Sequence, residues 1–83
     1  MEAAARALMD GENDEAIRLL EKLVPALKDG AEKDQGAFML GIAHFNARHW
    51  KEARACMTRV LAKDPGNTTA QEVMKQIEKM EKP

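Results

Sequence analysis

Ala16, Leu20 and Leu23 return as Ala53, Met57 and Val60, each 37 positions later. A chain of 83 residues that repeats itself at such a period invites a reading in which one helix-turn-helix unit forms twice and the copies stack. A single unit of that kind leaves its apolar side open, and only a neighbouring copy closes it. The remaining composition agrees. Ala, Leu, Glu, Lys, Met, Gln and Arg dominate, while Val, Ile, Thr and aromatic residues are sparse. No segment alternates with period two, so helices are expected throughout.

Turn signals divide the chain into five helical stretches. The first runs from about Glu2 to Met9 and ends at Asp10-Gly11, a left-handed cap. Asn13 is placed to cap the second, whose apolar stripe is Ala16, Leu19, Leu20, Leu23 and Val24. Pro25 has no amide to bond the carbonyl of Glu21 and ends or kinks that helix. Asp29 with Glu32 has the spacing of a capping box for a third helix reaching about Asn46. A tight turn at Ala47-Arg48-His49 leads to a fourth, Trp50 to Lys63, which Asp64-Pro65-Gly66-Asn67 stops. Thr68 with Gln71 has capping-box spacing for the last helix, to about Glu81. That helix carries Ala70, Val73, Met74, Ile77 and Met80 on one side and polar residues on the other, as a helix sealing a stack should.

Composition narrows the functional classes. Thirteen Lys and Arg oppose fourteen Asp and Glu, so no strongly basic face is forced on the chain and nucleic-acid binding is not expected. Two Phe, one Trp and no Tyr leave few platforms for stacking bases. A single cysteine excludes an internal disulfide framework and a multi-cysteine zinc site. The longest stretch without a formal charge, Gln35 to Ala47, is thirteen residues, short of the roughly 20 of a membrane span. Met1-Glu2-Ala3-Ala4 lacks the basic and apolar segments of a signal peptide. A soluble cytoplasmic domain, without a membrane span in this chain, is the expectation.

Ala37, Leu40-Gly41, His44, Ala53, Met57, Val60 and Pro65 stand at the spacings of the tetratricopeptide pattern. Leu40, Gly41, Ala53 and Pro65 match it in type, Ala37 stands where Trp is usual, and His44 where Tyr is usual. Gly41 and Ala53 have almost no side chain and let paired helices cross closely. Gly11 to Ile17 resembles the turn and crossing of an earlier, truncated copy. The chain thus resembles the tetratricopeptide repeat family over nearly its whole length. The resemblance implies an all-α fold of two helix-turn-helix repeats and a C-terminal capping helix, wound as a right-handed α-solenoid. Residues 1–83 form one domain on this reading, with 1–30 the truncated repeat, 34–67 the full repeat and 68–81 the cap. The alternative is an unrelated five-helix bundle.

Within that family, Leu19 to Pro25, the longer link that follows, Leu40, Glu52-Ala53, Pro65, Asn67 and the Lys-rich last helix resemble the cytosolic domain of the mitochondrial fission adaptor family. Its members recruit dynamin-type GTPases to organelle surfaces through a concave groove. They also carry an N-terminal arm and helix and a C-terminal membrane anchor that this sequence does not contain, so a trimmed piece and a generic repeat protein are both open.

The third helix carries the functional expectation. Ala37, Leu40, Gly41 and His44 form a stripe expected to pack on the fourth helix. Phe38, Ile42 and Phe45 form a second stripe, with Gln35 and Asn46 at its ends. A helix apolar nearly all round has more than one surface to cover. Plain core is one reading of the second stripe, with part of it covered by the first or last helix. The other is a concave groove that receives an apolar helix or peptide, with Leu8 and Met9 as the neighbouring wall. Grooves that clamp a terminal carboxylate need Lys, Arg and Asn, and here only Asn46 qualifies, so an apolar ligand is expected. Phe45→Glu is expected to abolish binding with little unfolding.

Other features are weaker. His44, His49 and Cys56 are read as a structural histidine, a turn histidine and a buried thiol in preference to a metal site. No Gly-rich loop, paired carboxylates or oxyanion donors accompany them, so neither an enzyme nor a cofactor is expected. Asn67-Thr68-Thr69 fits a glycosylation acceptor but reads better as a cap. The expected role is a non-enzymatic adaptor or scaffold binding a protein or peptide. The alternative is a structural homodimer in which a second copy closes the exposed helix face.

Overall fold

The computed structural model describes residues 2–81. Five helices follow one another: α1 (Glu2–Met9), α2 (Asn13–Leu23), α3 (Ala31–Asn46), α4 (Trp50–Lys63) and α5 (Thr68–Glu81). There is no strand among the described residues. Each helix packs against the next, and α5 also reaches α3. The fold is therefore a series of packed helix hairpins, α1 with α2 and α3 with α4, closed by α5.

The two hairpins turn in the same way. After α1, the Glu12 amide donates to the Ala7 carbonyl (2.8 Å) and the Gly11 amide to Leu8 (3.1 Å). After α3, the His49 amide donates to His44 (2.8 Å) and the Arg48 amide to Phe45 (3.0 Å). Both are six-to-one closures around a left-handed residue. Gly11 has φ 78° there, whereas Arg48 holds φ 65° with a side chain. Gly11 and Arg48 are again 37 apart, and the pairs Ala4/Gly41, Ala7/His44, Ala16/Ala53 and Leu20/Met57 are buried in both hairpins. Thr68 opens α5 37 residues after Ala31 opens α3, so α5 begins in the register of a third unit. It buries Ala70, Val73 and Ile77 and exposes the opposite side. Met80, expected on the apolar stripe, is exposed beyond Ile77.

Helix ends depart from the sequence expectations in three places. Asn13 is the first residue of α2 and not its cap. The Glu12 carbonyl opens the ladder, and Asn13 Oδ1 is enclosed without a hydrogen-bond partner. Asp29 does not cap α3, because Gly30 (φ 144°) intervenes and Asp29 pairs instead with Lys33 at 3.4 Å. The cap of α5 is Asn67, one residue before Thr68: its Oδ1 accepts from the Ala70 amide at 2.9 Å. Gln71 reaches back past Thr68 to the Pro65 carbonyl (2.6 Å). Near Pro25 the helical ladder of α2 ends at Leu23, and the chain tightens into a 3-10 turn at Val24–Ala26.

Three groups of buried residues fill the interior. Ala4, Leu20, Val24 and Ala37 form one, with Leu40 beside it; Ala7, Ala16, Ile17 and Ala43 form the next. Ala53, Met57, Ala70, Val73 and Ile77 form the third. α3 lies between these groups and needs an apolar surface toward each. The stripe expected to face α4 is accordingly divided. Gly41 faces it, since a Cβ there would lie 2.5 Å from Met57 Cε and 2.9 Å from Cys56 Cβ. Ala37 and Leu40 turn the other way, onto α1 and α2.

Candidate functional site

Gln35 and Asn46 are exposed on α3, and Phe38, Ile42 and Phe45 between them are half-buried. The three apolar side chains rest on the buried group of α4 and α5. Their undersides therefore serve the core, and only their outer edges meet water. Phe45 also meets the Trp50 ring edge-on, with centroids 5.5 Å apart and planes at 61°. Such a pair adds about 0.5–1.5 kcal/mol to area burial. A glutamate at position 45 would break that pair and place charge on the core edge, so Phe45→Glu should cost stability as well as any binding.

The expected wall is not continuous. Leu8 is half-buried against Ala7, Ala16, Ile17 and Ala43, while Met9 is 87% exposed. Met9 lines an open cleft of about 880 Å³ beside Ala3, Ala5 and Leu19 on α1 and α2. Gln35 and Phe38 line a different cleft of about 370 Å³ with Ala37 and Val60. Ile42, Phe45, Asn46 and Leu8 line neither. The second cleft is rimmed by Lys33, Arg59 and Lys63 as well as Asp29 and Asp34, and Lys63 Nζ meets Asp34 Oδ1 at 2.9 Å across its mouth. An exposed pair of this kind contributes little to stability. Of the motif residues, Gly41, Ala53 and Met57 are buried, Leu40 is half-buried and Pro65 is exposed in the α4–α5 turn.

From sequence, His44 and His49 are weighed with Cys56 and the group is set aside, without the direct contact of the two rings being foreseen. The six-to-one closure after α3 brings His44 and His49 together, Nδ1 to Nδ1 at 3.1 Å, with ring centroids 5.3 Å apart. Burial, and then the neighbouring His49, hold His44 below the ordinary histidine pKa, while Glu21 and Glu52 act in the opposite direction. Burial pushes the Cys56 thiol up, with Arg59 opposing, so it lacks the thiolate character of a reactive cysteine. The available signal was the earlier turn, since aligning Ala7 and Glu12 with His44 and His49 carries its closure onto the histidines. Among the described residues, no three or more His, Cys, Asp or Glu side chains are grouped to hold a metal ion. No described helix is long and apolar enough to cross a membrane.

A family model described as tetratricopeptide repeat matches residues 7–77, from the last turn of α1 through most of α5. The chain belongs to the tetratricopeptide repeat family. No curated protein and no solved structure matches it, so the narrower likeness to the fission adaptor rests on the quoted residues alone. Tetratricopeptide repeats mediate protein–protein interactions and are not themselves catalytic. In this tetratricopeptide repeat protein the 37-residue register and the glycine crossing at Gly41 supply the scaffold, and α3 supplies its most apolar partly open helix.

Proposed function

We propose that the chain is a non-enzymatic binding module whose ligand is an apolar helix or peptide segment laid along α3. One observation carries this reading: Phe38, Ile42 and Phe45 are held from beneath by the core of α4 and α5, yet remain partly open between exposed Gln35 and Asn46. Side chains fixed in this way lose little entropy when a ligand docks, which favours binding through apolar contact. Gln35 and Asn46 offer amide hydrogen bonds that orient the ligand backbone. None of these five positions carries a cation, and the Lys33, Arg59 and Lys63 that rim the cleft at its Gln35 end are interspersed with Asp29 and Asp34. A surface this short gives micromolar affinity, roughly -8 kcal/mol.

Selection from a phage-displayed random peptide library tests the reading. Enriched peptides should be rich in Leu, Ile and Phe, and Ile42→Ala together with Asn46→Ala should weaken their binding about tenfold or more while the helical spectrum is kept. Enrichment of acidic C-termini, or unchanged affinity in the double variant, refutes it.

The homodimer reading, in which a second copy closes the exposed face of α3, is joined by a second apolar patch where Met9 is exposed beside Ala3, Ala5 and Leu19 on the α1–α2 side. Sedimentation equilibrium separates the two. A mass of 9.2 kDa at all concentrations supports the monomeric module, and twice that mass supports the dimer.

A further inference from the structure

The turn between α3 and α4 carries two imidazoles that the fold does not require. The first hairpin forms the same six-to-one closure with Ala7 and Glu12 at the equivalent positions. Backbone hydrogen bonds on both sides fix the histidines in place. The His49 amide is tied to the His44 carbonyl, and the His49 carbonyl accepts from Ala53 at 2.9 Å to open α4. We propose that His44 and His49 form an open two-imidazole site for a borderline divalent transition ion such as Zn²⁺.

The two Nδ1 atoms now face each other almost head-on, since the 5.3 Å between ring centroids nearly equals the 3.1 Å nitrogen separation plus two ring radii, so the exposed His49 ring must turn before both lone pairs meet one ion. Zinc binds imidazole nitrogen at about 2.0–2.1 Å, and a separation of 3.1 Å between the Nδ1 atoms then sets a nitrogen–metal–nitrogen angle of about 95–100°, between the square and tetrahedral values. Both rings must present Nδ1 lone pairs. The imidazole that now donates from Nδ1 must carry its proton on Nε2 instead when the ion binds. Burial of His44 favours the neutral form. Glu21 and Glu52 act on His44 with the sign that favours a positive charge, against the larger effects of burial and of His49. His49 is exposed, which lets its ring swing to complete the angle and leaves the other coordination positions to water. Because no third protein ligand is grouped with the pair among the described residues, the site is exchangeable. Bound metal would clamp the end of α3 to the start of α4.

Thermal melts of the full chain with zinc chloride, the Cys56→Ser and His49→Gln variants, and magnesium chloride as control test the site. At zinc about five times Kd, the wild type and Cys56→Ser should melt about 4–8 °C higher, while His49→Gln and magnesium give no shift. Nitrogen NMR of the imidazoles should move the Nδ1 resonances of both histidines and leave both Nε2 atoms protonated. No shift in the wild type, an equal shift in His49→Gln, or loss of the shift in Cys56→Ser overturns the proposal.

Discussion

Replacing Gly41 with alanine should destabilise the chain, although the same change at an open helical site would stabilise it. Alanine is favoured over glycine in a helix interior by about 0.8–1 kcal/mol. Against that gain, the new methyl would lie 2.5 Å from Met57 Cε and 2.9 Å from Cys56 Cβ, inside the 3.5–4.0 Å of a comfortable carbon contact. Met57 is wholly buried and has little room to withdraw. The Cys56 Cβ moves only with the α4 backbone, so α3 and α4 must separate. Overpacking of this kind costs about 1–3 kcal/mol, and the net loss should be about 1 kcal/mol, or roughly 4–8 °C in melting midpoint for a domain of this size. Urea denaturation followed by far-UV circular dichroism measures it. A midpoint equal to or above that of the wild type would refute the close crossing at Gly41.

Four further outcomes follow from the helix ends and the histidine pair. Asn67→Ala removes the only side-chain cap seen at a helix start among the described residues and should cost about 1 kcal/mol. Asn13→Ala removes an unpartnered oxygen and should be neutral or stabilising by up to about 0.6 kcal/mol; the reverse order in urea melts would contradict the assigned caps. Arg48→Gly relieves the left-handed residue at φ 65° and should gain up to about 1 kcal/mol. A loss there would mean that the Arg48 side chain holds the turn. His44 has a lowered pKa in the folded chain, so the unfolded chain takes up its proton more readily. Stability from this group is complete above the unfolded pKa of about 6.5 and falls as pH drops below it. Urea midpoints at about pH 7.5 and 5.5 should therefore differ more for the wild type than for His44→Gln.

The helices were legible because propensity, turn residues and the 37-residue recurrence agree along the chain. Trp50 to Lys63 and Glu2 to Met9 were bounded by Gly11, His49 and the Asp64-Pro65 turn, each with a local stereochemical reason. Caps were less legible, since Asn67 and Thr68 can each accept an amide hydrogen bond, and the choice depends on which residue first takes helical dihedrals. The partition of α3 was not legible. Periodicity shows that Phe38, Ile42 and Phe45 are apolar but not which neighbour covers them, and α5 arrives only through the tertiary path of the chain. For the same reason the sequence expected Met9 and Phe38 in one groove, whereas they line different clefts. The contact of His44 with His49 was not legible because it depends on the left-handed Arg48, a conformation uncommon for a residue with a long side chain.

Whether a ligand lies along α3 can be read residue by residue from backbone amide chemical shifts, using a peptide enriched from the random library as the probe. The account predicts that the amides from Gln35 to Asn46 and the facing part of α5 move together, saturating at one peptide per chain. Shifts confined to α1 and α2 around Met9 and Leu19, with α3 unmoved, would contradict it.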